Sequence, residues 1–495
     1  MSSEEELRKK KLQKQKKNHQ SPFQITKFSR NTDLQSITQQ FSHFSREELV
    51  EKNIQVKAAG RILRLRNFGN LIFALLNDQK ESIQLMISKN EKFKELDIGD
   101  IIGVEGIICK SQKGELSIKV IEFELLSKCL KPLPDLHYGF TDIEERFRKR
   151  YLDLIINQQN RKTLIQRFQI INCIREFLNQ QEFIEIETPI LVSAASGAQA
   201  KPFITHHNKL QRDFYLRIAT EIPLKMLLVG GLEKVYEIGR IFRNEGIDAR
   251  HNPEFTTIEI YQAYENAKYM IDFTEELFNF LIQKLLLKRK YNFNSHQISL
   301  TMPFARISML EAIKKHLKID FTQIKDIQQA QELAKKYDLK LENYQNTIGH
   351  VIYAFFSQYV EKELIQPTFI YDFPLEVSPL AKASFSNPQF AERFELYIAG
   401  LEFANGYSEL NDPWEQKERF AEQAKQKALG NEEIAISDKE FIEALEYGMP
   451  PAAGLGIGID RLVMLLTEQD SIKEVIAFPQ LKSKPTKIIK KSILN

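Results

Sequence analysis

The densest chemistry in this 495-residue chain lies between Phe242 and Phe255, in the stretch FRNEGIDARHNPEF. Two arginines, two glutamates, an aspartate and a histidine sit there between KVYEIGRI and TTIEIYQAY. Both flanks alternate with the two-residue period of strands, and Gly246 and Pro253 mark a loop between them. On the outgoing strand Arg243 and Glu245 share a face. On the return Glu259 and Tyr261 share one, with Ile258 and Ile260 opposite. A hairpin with one apolar face and one face of Arg, Glu, Glu and Tyr has the pattern of a pocket wall. A solvated loop is the plain alternative for such a charged segment taken alone.

Two further clusters follow. RFELYIAGLEFANGYSEL reads as two strands turning at Ala399-Gly400. That hairpin brings Glu395 and Glu402 near each other and places Asn405, Tyr407 and Glu409 on one face, provided that a bend near Gly406 reconciles the parity of Glu402 with that of Glu409. Paired carboxylates suit Mg²⁺, a hard cation that shares its oxygen ligands with nucleotide phosphates. An ordinary cross-strand acidic pair is the alternative. GLGIGIDRLVML carries three alternating glycines, which allow a close backbone approach, and Asp460 stands where it can cap the following helix. Arg461 falls in that helix's first turn, the end that disfavours a cation. A local rule broken beside a glycine strip points to a ligand.

The length calls for two or more domains. The chain is 43% hydrophobic and 27% charged, without a run of eighteen apolar residues or a signal-peptide core, which reads as a globular protein of the cytoplasm. Cys109, Cys129 and Cys173 lie far apart, against a disulfide framework or a zinc site. The first twenty residues hold seven Lys/Arg against three Glu, more than the net +3 of the whole chain. This reads as a basic flexible arm, followed within residues 1–50 by a short helix capped by Ser45. Residues 51–130 give four or five short alternating strands, expected to form an OB-type barrel. Residues 131–145 are a Pro-rich linker, 146–480 a larger domain with a helical insertion at about 315–365, and 481–495 a lysine-rich tail. The larger domain opens with a helix whose stripe is Leu164, Phe168, Ile171, Ile174 and Leu178, running into the strand EFIEIETPIL.

Taken in order, the helix and strand ending in Pro189, the FRNE loop and GLGIGIDRL resemble the three signature motifs of the class II aminoacyl-tRNA synthetases. With the barrel in front, the chain is similar to the lysyl, aspartyl and asparaginyl subgroup. RYLDLI, AKPFITHHN, YLRIATE, RNEGIDARHNPEFT and NGYSELND resemble the lysyl members, over about residues 50 to 480. The resemblance implies an α+β fold, an OB barrel followed by a catalytic domain on an antiparallel sheet flanked by helices. It also implies ATP and Mg²⁺, L-lysine and tRNA(Lys) as partners, and a homodimer. By the same resemblance Arg243 and Arg461 are catalytic, and Arg243, Glu245, His251, Asn252, Phe255 and Arg461 bind ATP. Gly197, Glu221, Arg243, Glu259, Tyr261, Asn405 and Glu409 hold lysine, Glu395 and Glu402 hold the metal, and Phe73, Gln84 and Glu115 contact the anticodon. Phe73 reads equally as a core residue. Ser196-Gly197 stands where the family often has two glycines.

The acidic lining disfavours an aspartate substrate, which would call for cations. An aspartyl or asparaginyl enzyme is nevertheless the alternative within the subgroup. A synthetase-like RNA-binding regulator that charges no tRNA is the alternative outside it, although the motif residues are all present.

Overall fold

The computed structural model describes residues 3–19, 21–88, 92–134, 139–140, 142–431 and 438–483. Part of the expected 131–145 linker and most of the 481–495 tail lie outside them. The chain divides into two compact units, residues 1–161 and 162–495, so the boundary falls later than the composition of the linker implies.

The first unit holds the barrel. β1 (Gln55–Phe68), β2 (Leu71–Asn77), β3 (Ser82–Ser88), β4 (Ile101–Lys110) and β5 (Leu116–Ser127) close in the order β1-β2-β3-β5-β4. Ile72, Ala74 and Leu76 alternate inward with Ile83, Leu85 and Ile87 across the β2–β3 pair, which gives a dry core without edge strands. The basic arm, expected to be flexible, holds a helix that packs on the barrel. Ser3–Lys17 is a helix with Glu4–Glu6 in its first turn and Lys14, Lys16 and Lys17 in its last, the arrangement the helix dipole favours. Arg8 seats it on the barrel, donating to the Ile98 and Cys129 carbonyls at 2.9 and 3.0 Å, while Lys11 pairs with Asp97 at 2.7 Å. Charge count alone misses this, because the anchoring residues are themselves basic. Ser45 caps the Arg46–Lys52 helix in a full capping box with Glu48.

The second unit is built on an eight-stranded sheet with two smaller sheets beside it in the chain. Its strands in chain order are β6 (Ile184–Glu185), β7 (Leu191–Val192), β8 (Ile204–His207), β9 (Arg212–Leu216), β10 (Lys234–Phe242), β11 (Glu254–Ala263), β12 (Lys290–Phe293), β13 (His296–Ser299), β14 (Ala305–Ser308), β15 (Thr368–Pro374), β16 (Phe390–Ile398), β17 (Leu401–Ser408) and β18 (Ala452–Gly458). The main sheet runs β14-β15-β16-β17-β18-β11-β10-β6. The six central strands are antiparallel, but β14 joins β15 and β6 joins β10 in parallel, so the sheet is mixed at both edges. The strand expected at EFIEIETPIL shrinks to Ile184–Glu185. Helices Gln158–Gln180, Ala267–Lys284 and Ile459–Leu466 cover one sheet face around Ile174, Phe273, Leu277, Val463 and Ile258. The stripe expected on the first of these divides: Ile171, Ile174 and Leu178 are buried, while Phe168 is 57% exposed. The helical segment after residue 309 packs its own core, Met309, Ile313, Val351 and Phe355, against Ile370 and Phe373 of β15.

Asp460 does not cap its helix. It is buried and pairs with Arg167 at 2.5 Å, and it accepts the Thr256 backbone N–H at 2.7 Å. Among the described residues no helix is long and apolar enough to cross a membrane, and all three cysteines are free thiols.

Candidate active site

The uncovered face of β10, β11, β16, β17 and β18 floors a cavity of about 1000 Å³. Gly197, Glu221, Arg243, Glu245, His251, Asn252, Phe255, Glu259, Tyr261, Glu395, Glu402, Asn405, Glu409 and Arg461 all line it. The three sequence clusters, more than 200 residues apart at their extremes, converge on one space.

Strand pairing explains how. Glu237 lies opposite Glu259 on β10–β11, and Glu259 opposite Gly456 on β18. The bare backbone of Gly454 and Gly456 keeps the floor open, since a Cβ at Gly454 would collide with the Glu409 carboxylate and the Tyr261 ring. β10 ends at Phe242, so Arg243 and Glu245 stand at the loop entrance and not on the strand, held by Arg243 N donating to Pro253 O at 2.9 Å. The parity problem of Glu402 is solved by a bulge. Leu396 pairs with Ala404 and Tyr397 with Glu402, so Phe403 is the extra residue and no bend at Gly406 is needed. Glu402 thereby joins Asn405 and Tyr407 on the cavity side.

Three carboxylates cluster at one end. Glu259 accepts the Thr220 N–H at 3.2 Å and the Tyr261 hydroxyl at 3.0 Å. Burial, and next the neighbouring Glu221, push it up to about 7. Glu409 is fully buried and pushed up to about 8 by burial, with Lys225 pulling the other way. Its Oε1 has no hydrogen-bond partner among the described residues. Tyr407 donates to Glu221 at 2.5 Å. The end wall includes Gly197, whose φ of +85° only glycine adopts freely and whose Cβ would come within 3.2 Å of Glu221 Cβ.

The other end carries the cations. The Arg243 guanidinium lies 5.2 Å over the Phe255 ring, and its Nε is buried without a hydrogen-bond partner. Arg461 donates to the Glu402 carbonyl at 2.6 Å, which fixes it against the sheet in spite of its helix position. His251 pairs with Asp248 at 2.9 Å on an exposed loop. Partial burial works upward on Asp248, but hydrogen bonds from His251 and two backbone N–H groups hold it down at about 2. Asn252 has both amide groups engaged, donating to Glu254 O at 2.6 Å and accepting from Gln480 N at 3.1 Å, so it shapes the loop. Between the two ends Glu395 accepts from Arg393 and Tyr397. Burial drives it up to about 7; Arg393 opposes this and the nearby Glu402 adds to it. The Glu395–Glu402 pair thus offers hard oxygens to a cation. Among the described residues no group of three or more His, Cys, Asp or Glu forms a self-sufficient metal site, so further ligands would have to come from a bound substrate.

Sequence reading missed Lys225 and Arg393. Lys225 sits four residues after Glu221, a lone cation in the apolar helix EIPLKMLLV, and that misfit was the available signal. In the barrel, Phe73 and Gln84 lie on the outward, half-buried face, away from the core side taken by Ile72 and Ala74. Phe73 meets Phe68 edge-on at 5.7 Å, and Gln84 donates to Ser117 at 2.9 Å. Glu115 is exposed in the β4–β5 turn.

A mixed sheet with its floor open between an acidic end and an arginine end defines the class II synthetase catalytic domain, and the family model for class II tRNA synthetases (D, K and N) matches residues 142–482. The OB-fold nucleic acid binding domain matches residues 56–126. The chain is 48% identical to a lysine–tRNA ligase of Mycoplasma capricolum, covering 98% of both chains, and 46% identical to those of Malacoplasma penetrans (98% and 99%) and Bacillus subtilis (97% of both). The chain belongs to the lysine–tRNA ligase family of class II synthetases.

Proposed function

We propose that this chain activates L-lysine with ATP and transfers the lysyl group to tRNA(Lys), and that the cavity residues divide the work by charge. The convergence of buried Glu221 and Glu409 and half-buried Glu259 on one end of the cavity carries this reading. A lysine side chain leaves water only where counter-charge awaits it. Glu259 and Glu409, with the Tyr261 hydroxyl, take the ε-ammonium, Glu221 and the Gly197 backbone take the α-ammonium, and Asn405 borders the carboxylate.

Arg243 offers a free, buried donor to the amino-acid carboxylate and the α-phosphate. Its planar fork suits both, and it stabilises the charge that builds on the α-phosphate oxygens as the carboxylate attacks phosphorus and pyrophosphate leaves. Phe255 and Arg461 flank the adenine, Glu245 reads its amino group, and His251 approaches the outer phosphates on the loop that Asn252 braces. Mg²⁺, when bound, would be held by Glu395 and Glu402 together with phosphate oxygens and would neutralise phosphate charge. No side chain needs to act as a nucleophile, because positioning and charge compensation suffice. Phe73 and Gln84 present a stacking ring and an amide outward for anticodon bases, with Glu115 at the turn beside them. Free thiols fit a cytoplasmic setting.

Pyrophosphate exchange into ATP is expected with lysine, and neither aspartate nor asparagine should support it. Exchange with aspartate, or none with any of the three amino acids, would overturn the reading.

A further inference from the structure

Behind the cavity wall stands Lys225, which substrate binding does not require at first sight. It is completely buried, its Nζ lies 2.5 Å from Glu221 Oε1 and 2.5 Å from Glu409 Oε2, and its ammonium stands 5.4 and 5.7 Å from the Tyr407 and Phe441 rings. The chain therefore puts an ammonium of its own between two of the three carboxylates that face a lysine substrate. We propose that Lys225 is a positioning residue that fixes the Glu221 and Glu409 carboxylates and sets the charge of the amino-acid end to match one bound lysine.

The count supports it. When all three are ionised, as two bound ammonium groups require, Glu221, Glu259 and Glu409 bring three negative charges, and Lys225 compensates one. The remaining two equal the α- and ε-ammonium groups of the substrate. Arg393, the next cation along the sheet, is occupied by Glu395 and by Asn405 Oδ1, the latter at 3.2 Å, and does not enter the balance. The groups facing Lys225 are Glu221 on its own helix, Glu409 after β17 and Tyr407 on β17, with Tyr261 and Glu259 of β11 behind them. Without Lys225 the cluster would hold three unbalanced carboxylates in a dry site. It would then relieve the repulsion by taking up a proton, which removes the charge that the substrate needs. Lys225 also holds Glu409 Oε2, which fixes the carboxylate over the bare backbone of Gly454.

This rests on the lysine-binding reading of the cavity, and lysine-dependent exchange by the unaltered protein is its control. Lys225→Met is expected to raise the lysine KM by at least about tenfold, since it strands buried charge, with the ATP KM within about twofold of the unaltered value. The pH below which lysine use declines should move upward. Lys225→Met combined with Glu409→Gln restores a net of two negative charges and removes both members of a buried pair, which also protects the fold. Its lysine KM should lie well below the product of the two single effects. An unchanged lysine KM in Lys225→Met, or strictly multiplicative effects in the double variant, overturns the proposal while the exchange control leaves the site reading intact. Absence of lysine-dependent exchange in the unaltered protein overturns both.

Discussion

At the scale of single residues, the cavity depends on carboxylates kept where charge is costly. Glu259, pushed up to about 7 by burial and by Glu221, is half-protonated near neutrality before lysine binds. On the proposed assignment lysine meets ionised Glu259 and Glu409, the latter pushed up to about 8, so kcat/KM for lysine should fall as pH drops from about 8 through 7, with no matching change in the ATP KM. The sign for stability is the reverse. A carboxyl whose folded value exceeds its unfolded one favours the folded state at low pH, and that contribution is lost as pH rises toward 7. Glu259→Gln should therefore flatten the loss with pH and raise the lysine KM by about a hundredfold, the order expected when one partner of a buried charged contact is removed. A lysine KM that does not move would place the ε-ammonium elsewhere.

At the scale of elements, the sequence told most where chemistry and periodicity agreed. The β10–β11 and β16–β17 pairs and the Ser45 cap were legible because alternation and capping are local. Three features were not. The bulge at Phe403 is set by pairing with β16, and no pattern within β17 announces it. Asp460 turns from its own helix to Arg167, 293 residues away. The Ser3–Lys17 helix looked like a solvated tail, because its anchor is an arginine reaching barrel carbonyls. Arg8→Ala should therefore leave the barrel intact but loosen this helix, and limited trypsin digestion should cut within Lys9–Lys17 many times faster than in the parent. Equal cleavage rates would mean that Arg8 does not hold it.

At the scale of the whole molecule, each unit buries its own core, and the catalytic unit still leaves large apolar side chains in water. Phe168 on the Gln158–Gln180 helix, and Ile184, Ile190, Leu191 and Ile204 further along the chain, are 46–63% exposed. The homodimer implied by family resemblance would cover Phe168 on that helix. Sedimentation should give twice the mass of one chain for the parent protein and a single-chain mass for Phe168→Asp. A parent that sediments as one chain at concentrations where it is active would exclude the dimer.

The extra residue at Phe403 has a consequence for how this segment can vary. Glu402 and Glu409 reach the same side only because the ladder skips one position between them. Exchanging a side chain there alters one contact. Gaining or losing a single codon between positions 402 and 409 would turn one of these two acids into the hydrophobic layer beneath the sheet. Natural variation in this stretch should therefore appear as replacements at constant length.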